Sequence, residues 1–180
     1  MQIKELEIEG CYLIELPSFK DNRGEFIKTF NNVSFENIPL KDFSLKEEFY
    51  SVSKKNVLRG LHFQNPPKAH NKIIYCISGK VIDFFLDIRK NSYTYGKVIK
   101  IELNSEKPEL LFLPKGIAHG FLSCSDDSIL VYKTDCEYNP ECDTGILWSS
   151  VELELDDLNY IISERDQNFI AFDKYMSLFE

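Results

Sequence analysis

"NKIIYCISGKVIDFFLDIRK", residues 71–90, decides the fold class. Two runs of β-branched and aromatic residues flank Ser78-Gly79, a dipeptide suited to a tight turn, so the stretch reads as a β-hairpin. In the second run Ile82, Phe84, Leu86 and Ile88 share one face of a strand, while Val81, Asp83, Phe85 and Asp87 share the other. Asp83 therefore points into whatever the second face lines.

Short apolar or alternating runs recur on both sides of this stretch with turn signals between them: "IEGCYLIEL" (8–16), "GEFIKTF" (24–30), "NVLRGLHFQ" (56–64), "GKVIKIEL" (96–103), "ELLFLP" (109–114), "HGFLSC" (119–124) and "SILVYKT" (128–134). Evenly spaced strands of this kind predict an all-β antiparallel sandwich or barrel. Helical periodicity is scarce. Residues 31–42, "NNVSFENIPLKD", read as a short helix or irregular excursion, and "DDLNYIISERDQ" (156–167) as helix or loop outside the β-core. With 180 residues and no internal repeat, low-complexity tract or linker, a single domain over 1–180 is expected, its core at about 21–150 and residues 151–180 packed against it.

Apolar residues make up 43% and aromatics 13%, which is a globular composition and not a disordered one. A formal charge of −8 argues against a nucleic-acid partner, which would call for a basic stripe, yet leaves room for a small anion held by a few local cations. The cysteines at 11, 76, 124, 136 and 142 are odd in number and form no CxxC pair, so they read as reduced thiols in a cytoplasmic protein. Cys136 and Cys142 mimic metal-ligand spacing, but structural thiols are the blander reading. The N-terminus lacks a basic segment followed by an apolar run, and no stretch approaches the roughly 18 apolar residues of a membrane span.

A strand residue facing the inside of a small barrel must pack or be hydrogen-bonded, because an unpaired buried polar group costs about 1–3 kcal/mol. Arg59, His62, Lys72, Asp83, His119, Tyr132 and Lys133 all fall within or at the ends of expected strands. Taken one at a time, each has a bland reading: a satisfied structural histidine, a surface cation, an amphipathic core tyrosine, a solvated carboxylate. Taken together on neighbouring strands, they describe an anion-binding pocket with groups able to move protons.

"NVLRGLHFQNPP" (56–67), "SGKVIDFFLDIR" (78–89), "PKGIAHGFL" (114–122), "VYKT" (131–134) and "YNPECDTGILW" (138–148), in this order, resemble the dTDP-4-dehydrorhamnose 3,5-epimerase family of nucleotide-sugar epimerases, from about Asp21 to Asp166. The resemblance implies a cupin-type jelly roll with short peripheral helices. It also implies a homodimer, a nucleoside-diphosphate sugar as substrate, and no metal or organic cofactor. It implies catalytic roles for four residues: His62 as the base next to the ketone, Asp166 from the C-terminal segment as the carboxylate orienting it, Tyr132 as the acid on the opposite face, and Lys72 as the cation near the ketone oxygen. Asp83 matches a family aspartate and is expected to hold Lys72. Arg23, Arg59 and His119 match positions around the diphosphate, and Tyr138 an aromatic near the sugar.

Two places depart from the family pattern. Lys28 stands where a glutamate meets thymine, and Glu47, Glu48, Phe49 and Tyr50 replace glutamine, an acidic residue, asparagine and histidine. The expectation is a retained proton-transfer site with a changed handle, Lys28 and Glu47 meeting a base other than thymine on a 4-keto-6-deoxyhexose or 4-keto-heptose. Inversion of carbon 3, carbon 5 or both stays open. Rival readings are a cupin sugar-nucleotide 3,4-ketoisomerase, a metal-dependent cupin oxygenase drawing on His62, His70 and His119, and a noncatalytic sugar-nucleotide-binding barrel.

Overall fold

A computed structural model describes residues 2–30, 40, 42–155 and 159–180. The excursion expected over 31–42 falls almost wholly outside the described residues, as does part of 156–167. Thirteen strands are found among the described residues: β1 (Ile3–Glu5), β2 (Tyr12–Glu15), β3 (Ser18–Asp21), β4 (Gly24–Ile27), β5 (Glu47–Ser53), β6 (Leu58–Gln64), β7 (Lys72–Ser78), β8 (Lys80–Asp87), β9 (Val98–Asn104), β10 (Glu109–Leu113), β11 (Ile117–Ser123), β12 (Ser128–Thr134) and β13 (Asp143–Gly145). One short helix, α1 (Glu164–Gln167), and 3₁₀ turns at Trp148–Ser150 and Phe172–Lys174 follow.

The strands form a six-stranded sheet, β1-β2-β10-β7-β12-β5, a five-stranded sheet, β13-β6-β11-β8-β9, and a separate two-stranded ribbon, β3-β4. Every pairing between named strands is antiparallel. The two large sheets pack face to face as a jelly roll of the cupin type. Each of the nine apolar runs contains or overlaps a strand, and the all-β architecture is as expected.

The hairpin at Ser78-Gly79 does not form. β7 pairs with β10 and β12, whereas β8 pairs with β11 and β9, so the chain changes sheets at Gly79. Gly79 has φ +72, and a Cβ there would stand 2.4 Å from Ser125 Oγ. Both runs are apolar on both faces, and neither needs its immediate neighbour as a partner when later strands can cover it.

The alternation within β8 holds. Val81 and Phe85 face between the sheets, where they meet Ile74, Leu111, Leu130 and Phe121. Phe84, Leu86 and Ile88 face outward and are covered by the C-terminal segment through Val151, Leu153, Ile162, Phe172 and Phe179. The outer face of the six-stranded sheet is a third cluster, with Ile73, Tyr75 and Val131 under Leu40 and Phe43. Fully burying a large apolar side chain contributes about 1.5–3 kcal/mol, so the two outer layers support the sheets as much as the inner one does.

Candidate active site

His62 owes its place to a bulge. Across β6 and β11, His119 pairs with His62 but Phe121 pairs with Arg59, so an extra residue is inserted at Gly60. Without it, residues 59 and 62 would face opposite sides of the strand; with it, both line one cavity. Only glycine fits: φ is +105, and a Cβ would lie 2.5 Å from the His119 carbonyl oxygen. The freed Gly60 N–H donates to Asp166 Oδ2 at 2.9 Å, while Asp166 Oδ1 meets His62 Nε2 at 2.9 Å.

Asp166 is carried by α1, whose N-cap Ser163 accepts the Asp166 backbone N–H. Burial alone would raise its carboxyl, but the His62 bond and charge, the Gly60 amide and the Ser163 hydroxyl outweigh it and hold the group below the ordinary carboxylate value. An ionised Asp166 makes His62 Nε2 the N–H nitrogen and leaves Nδ1 with its lone pair. The ring edge of Phe169 closes over the imidazole at 5.5 Å between centroids.

Lys72 starts β7 in the opposite sheet, and its Nζ donates to the His62 carbonyl at 2.8 Å. Burial lowers this ammonium to about 8, against the pull of Asp143 and Asp83. Among the described residues Lys72 makes no direct ion pair with Asp83, contrary to the expected tether. The Asp83 carboxylate instead meets His119 Nε2 at 2.8 Å through Oδ2, and its Oδ1 has no hydrogen-bond partner there. The reason is register: Asp83 sits opposite Phe121 on β11, two residues from His119 and on the same face. Burial raises the Asp83 carboxyl despite His119 and Lys72, and burial lowers His119 despite Asp83.

Tyr132 lies on β12 with its ring in the inner cluster. Across the sheet it pairs with Phe49 of β5, and the rings stack at 4.9 Å with planes 12° apart. His119 approaches its edge at 5.9 Å. Burial pushes the phenol well above its usual value, and the nearby Ser51 hydroxyl offsets this only in part. Lys133, next along the strand, faces outward over the Phe30 and Tyr75 rings and pairs with Glu48, so it does not join the cavity.

The cavity holds about 300 Å³ and is lined by His62, Lys72, His119 and Tyr132. Arg59, Glu47 and Tyr138 also line it. Arg59 donates to Ser53 Oγ at 3.1 Å, and Glu47 accepts the Tyr138 backbone N–H at 2.8 Å. Arg23 and Lys28 are not among the lining residues of this chain's cavity. Arg23 sits in the turn of the β3-β4 ribbon clamped to Asp21, 85% exposed, and the ribbon is hydrogen-bonded to neither large sheet.

Several lining residues had no role in the sequence reading. Phe49 and Ser51 belong to β5, whose alternation is masked by its charged start. Gln64, buried, accepts the Asn139 N–H and donates to the Lys68 carbonyl, tying the loops on either side of the mouth. Arg165 donates to Asp143 Oδ2 at 2.6 Å and covers the Phe169 ring. A polar residue beside a known carboxylate was the only signal available for it. Among the described residues no group of three or more His, Cys, Asp or Glu is arranged to hold a metal.

A jelly roll whose facing sheets bring a carboxylate-bound imidazole, a buried ammonium and a buried phenol to one cavity has the equipment of a proton-transfer enzyme. The sequence profile of the dTDP-4-dehydrorhamnose 3,5-epimerase family matches residues 5–174, and the chain belongs to that family. It is a carbohydrate epimerase of the isomerase class. The Escherichia coli K12 dTDP-4-dehydrorhamnose 3,5-epimerase is 38% identical over 181 residues, covering 99% of this chain and 98% of the relative. The crystal structure of the Sulfolobus tokodaii dTDP-4-dehydrorhamnose 3,5-epimerase superposes with a TM-score of 0.90 at 34% identity, covering 99% of this chain and 98% of that one. That of a Legionella pneumophila dTDP-6-deoxy-D-glucose-3,5-epimerase in complex with dTDP-4-keto-L-rhamnose gives 0.90 at 28% identity, covering 96% and 93%.

Proposed function

We propose that the chain epimerises a nucleoside-diphosphate 4-keto sugar with its own side chains as the proton donors and acceptors. The observation that carries this reading is that His62 and Tyr132 reach one cavity from opposite sheets. Inversion at carbon requires a proton to leave one face and return on the other, and facing walls supply both directions.

In this account His62 Nδ1 takes the proton from the carbon next to the ketone. The C–H electrons move onto the ketone oxygen as an enolate. The Lys72 ammonium meets that charge, where a preorganised donor is worth about 3 kcal/mol. Asp166 stabilises the imidazolium. Tyr132, kept neutral by its surroundings, then delivers a proton to the opposite face.

Arg59 at the rim suits a phosphate oxygen, as a guanidinium stays charged and presents a planar fork of donors. His119, Tyr138 and Glu47 complete the substrate-facing surface, with Asp83 fixing His119. Phe19 and Phe26 on the β3-β4 ribbon are 60% and 61% exposed, and the edge strand β5 exposes Tyr50 and Val52. A second copy of this chain covers these surfaces in a homodimer, and the ribbon then brings Arg23 and Lys28 to a substrate. Five unpaired thiols suit a cytoplasmic setting.

Lys28 and Glu47 define a base-reading surface different from the family pattern. Incubating the protein with TDP- and GDP-linked 4-keto sugars in heavy water, with NMR of products, tests the reading. Deuterium at the carbon next to the ketone and an inverted product are expected, with the GDP sugar turned over. Turnover of the TDP sugar alone would overturn the changed-base reading, and a shifted carbonyl without inversion would make the chain a ketoisomerase.

A further inference from the structure

Phe49 lies where the acid wall of the cavity meets solvent. It sits on β5, the edge strand of the six-stranded sheet, directly opposite Tyr132 in the register. It is 46% exposed, whereas Tyr132 beneath it is 8% exposed. The rings are nearly parallel at 4.9 Å. The other neighbours of the phenol are His119 at the ring edge, locked to Asp83, the Ser51 hydroxyl, and Ile74 from the flanking strand β7. Among the described residues Phe49 is thus the ring stacked face to face on Tyr132, on the side of the exposed edge strand, while the Ser51 hydroxyl bears on the phenol oxygen.

We propose that Phe49 is a positioning residue for Tyr132: by stacking on the ring and covering its solvent flank, it directs the phenolic proton to the substrate carbon rather than to water. The proposal rests on the epimerase reading of this cavity. In the step concerned, the enolate electron pair forms the new C–H bond, the Tyr132 O–H bond breaks, and the carbonyl is restored. The phenolate left behind takes a proton from water, and the His62 imidazolium returns its proton to water, so the cycle closes with no net change of charge. A phenol that exchanges with solvent at the wrong moment, or swings from its position, leaves His62 to return the proton on its own side. The substrate then gains solvent hydrogen without inverting.

The consequence is a split between two readouts that simple loss of structure would lower together. In heavy water with a 4-keto sugar nucleotide that the wild type turns over, Phe49→Ala is expected to lower the ratio of inversion to deuterium uptake about tenfold, a part of the about 10²–10⁴ that a positioned acid or base supplies, because the phenol itself remains. Phe49→Tyr, which keeps a stacking ring, should restore the ratio, and Phe49→Leu, apolar but unable to stack, should fall between them. The ratio of inversion to deuterium uptake, in which the loss from Lys72 common to both cancels, should begin to fall at lower pH in Phe49→Ala, as water reaching the phenol brings its ionisation back toward about 10. Equal loss of both readouts, or an unchanged ratio in Phe49→Ala and Phe49→Leu, would overturn the proposal. If the wild type itself takes up no deuterium from any sugar nucleotide tested, the epimerase reading fails instead.

Discussion

The two walls of the cavity are built by different means. On the five-stranded sheet, His62 is fixed by polar contacts far apart in sequence: Asp166 bridges its ring and the Gly60 amide, and Lys72 reaches across to its carbonyl. On the six-stranded sheet, Tyr132 is held by ring packing against Phe49 and His119. The difference follows from what each group must become. A base gains positive charge when it works, so it needs a carboxylate already in place. An acid that must stay protonated until the enolate forms is better surrounded by rings, since burial disfavours the phenolate. Charge holds the base, and burial among rings holds the acid.

The comparison breaks most sharply at the base. His62→Asn removes the group that ionises the substrate and should lower both deuterium uptake and inversion at least about 10³-fold, measured by NMR in heavy water. Lys72→Met should lower both about 10²-fold by leaving the enolate charge unmet, with a melting temperature within about 3 °C of wild type because a buried charge is removed along with its hydrogen bond. In the unaltered protein, activity should fall as pH rises through about 8, because burial brings Lys72 to that value and only its protonated form serves the enolate. A flat rate from pH 7 to 9 would remove Lys72 from this role.

Gly60→Ala tests the scaffold beneath the base wall. The added Cβ would meet the His119 carbonyl at 2.5 Å with φ at +105, so a stability loss of roughly 2–4 kcal/mol by chemical denaturation is expected. A smaller effect belongs to His70, whose Nδ1 lies 3.1 Å from Gln64 Nε2 beside the cavity mouth. Burial, then repulsion from Lys72, lowers it from 6.5 to about 3. The folded state thus binds this proton less readily than the unfolded one, and the stability it contributes is present above about 6.5 and lost as pH falls from there toward 3. His70→Gln should flatten the stability curve between pH 6.5 and 4.

The strands were legible because alternation and β-branching are local properties: β6, β7, β8 and β12 fall within runs picked out by pattern, and β11 overlaps one. Partner choice was not local. Ser78-Gly79 looked like a hairpin turn, yet the strands it joins serve different sheets. β5 escaped notice since an edge strand beginning Glu47-Glu48 and exposing Tyr50 and Val52 lacks a polar outer face. In the site, the motifs placed His62 with Asp166, residues 104 apart that end 2.9 Å from each other. They did not reveal that Asp83 belongs to His119, which depends on register between strands, whereas the outward face of Lys133 follows from alternation once Tyr132 faces inward. The bulge at Gly60 was hidden for the same reason, although it is what lets Arg59 and His62 share a cavity.

The central claim, that base and acid act from opposite walls, is tested most directly by Tyr132→Phe in heavy water. The phenyl ring keeps the stack with Phe49 while losing the proton. Deuterium should still enter at the carbon next to the ketone, at a rate within about tenfold of wild type, while inverted product falls by about 10²-fold or more. Inversion at the wild-type rate, or loss of uptake in step with inversion, would contradict the account.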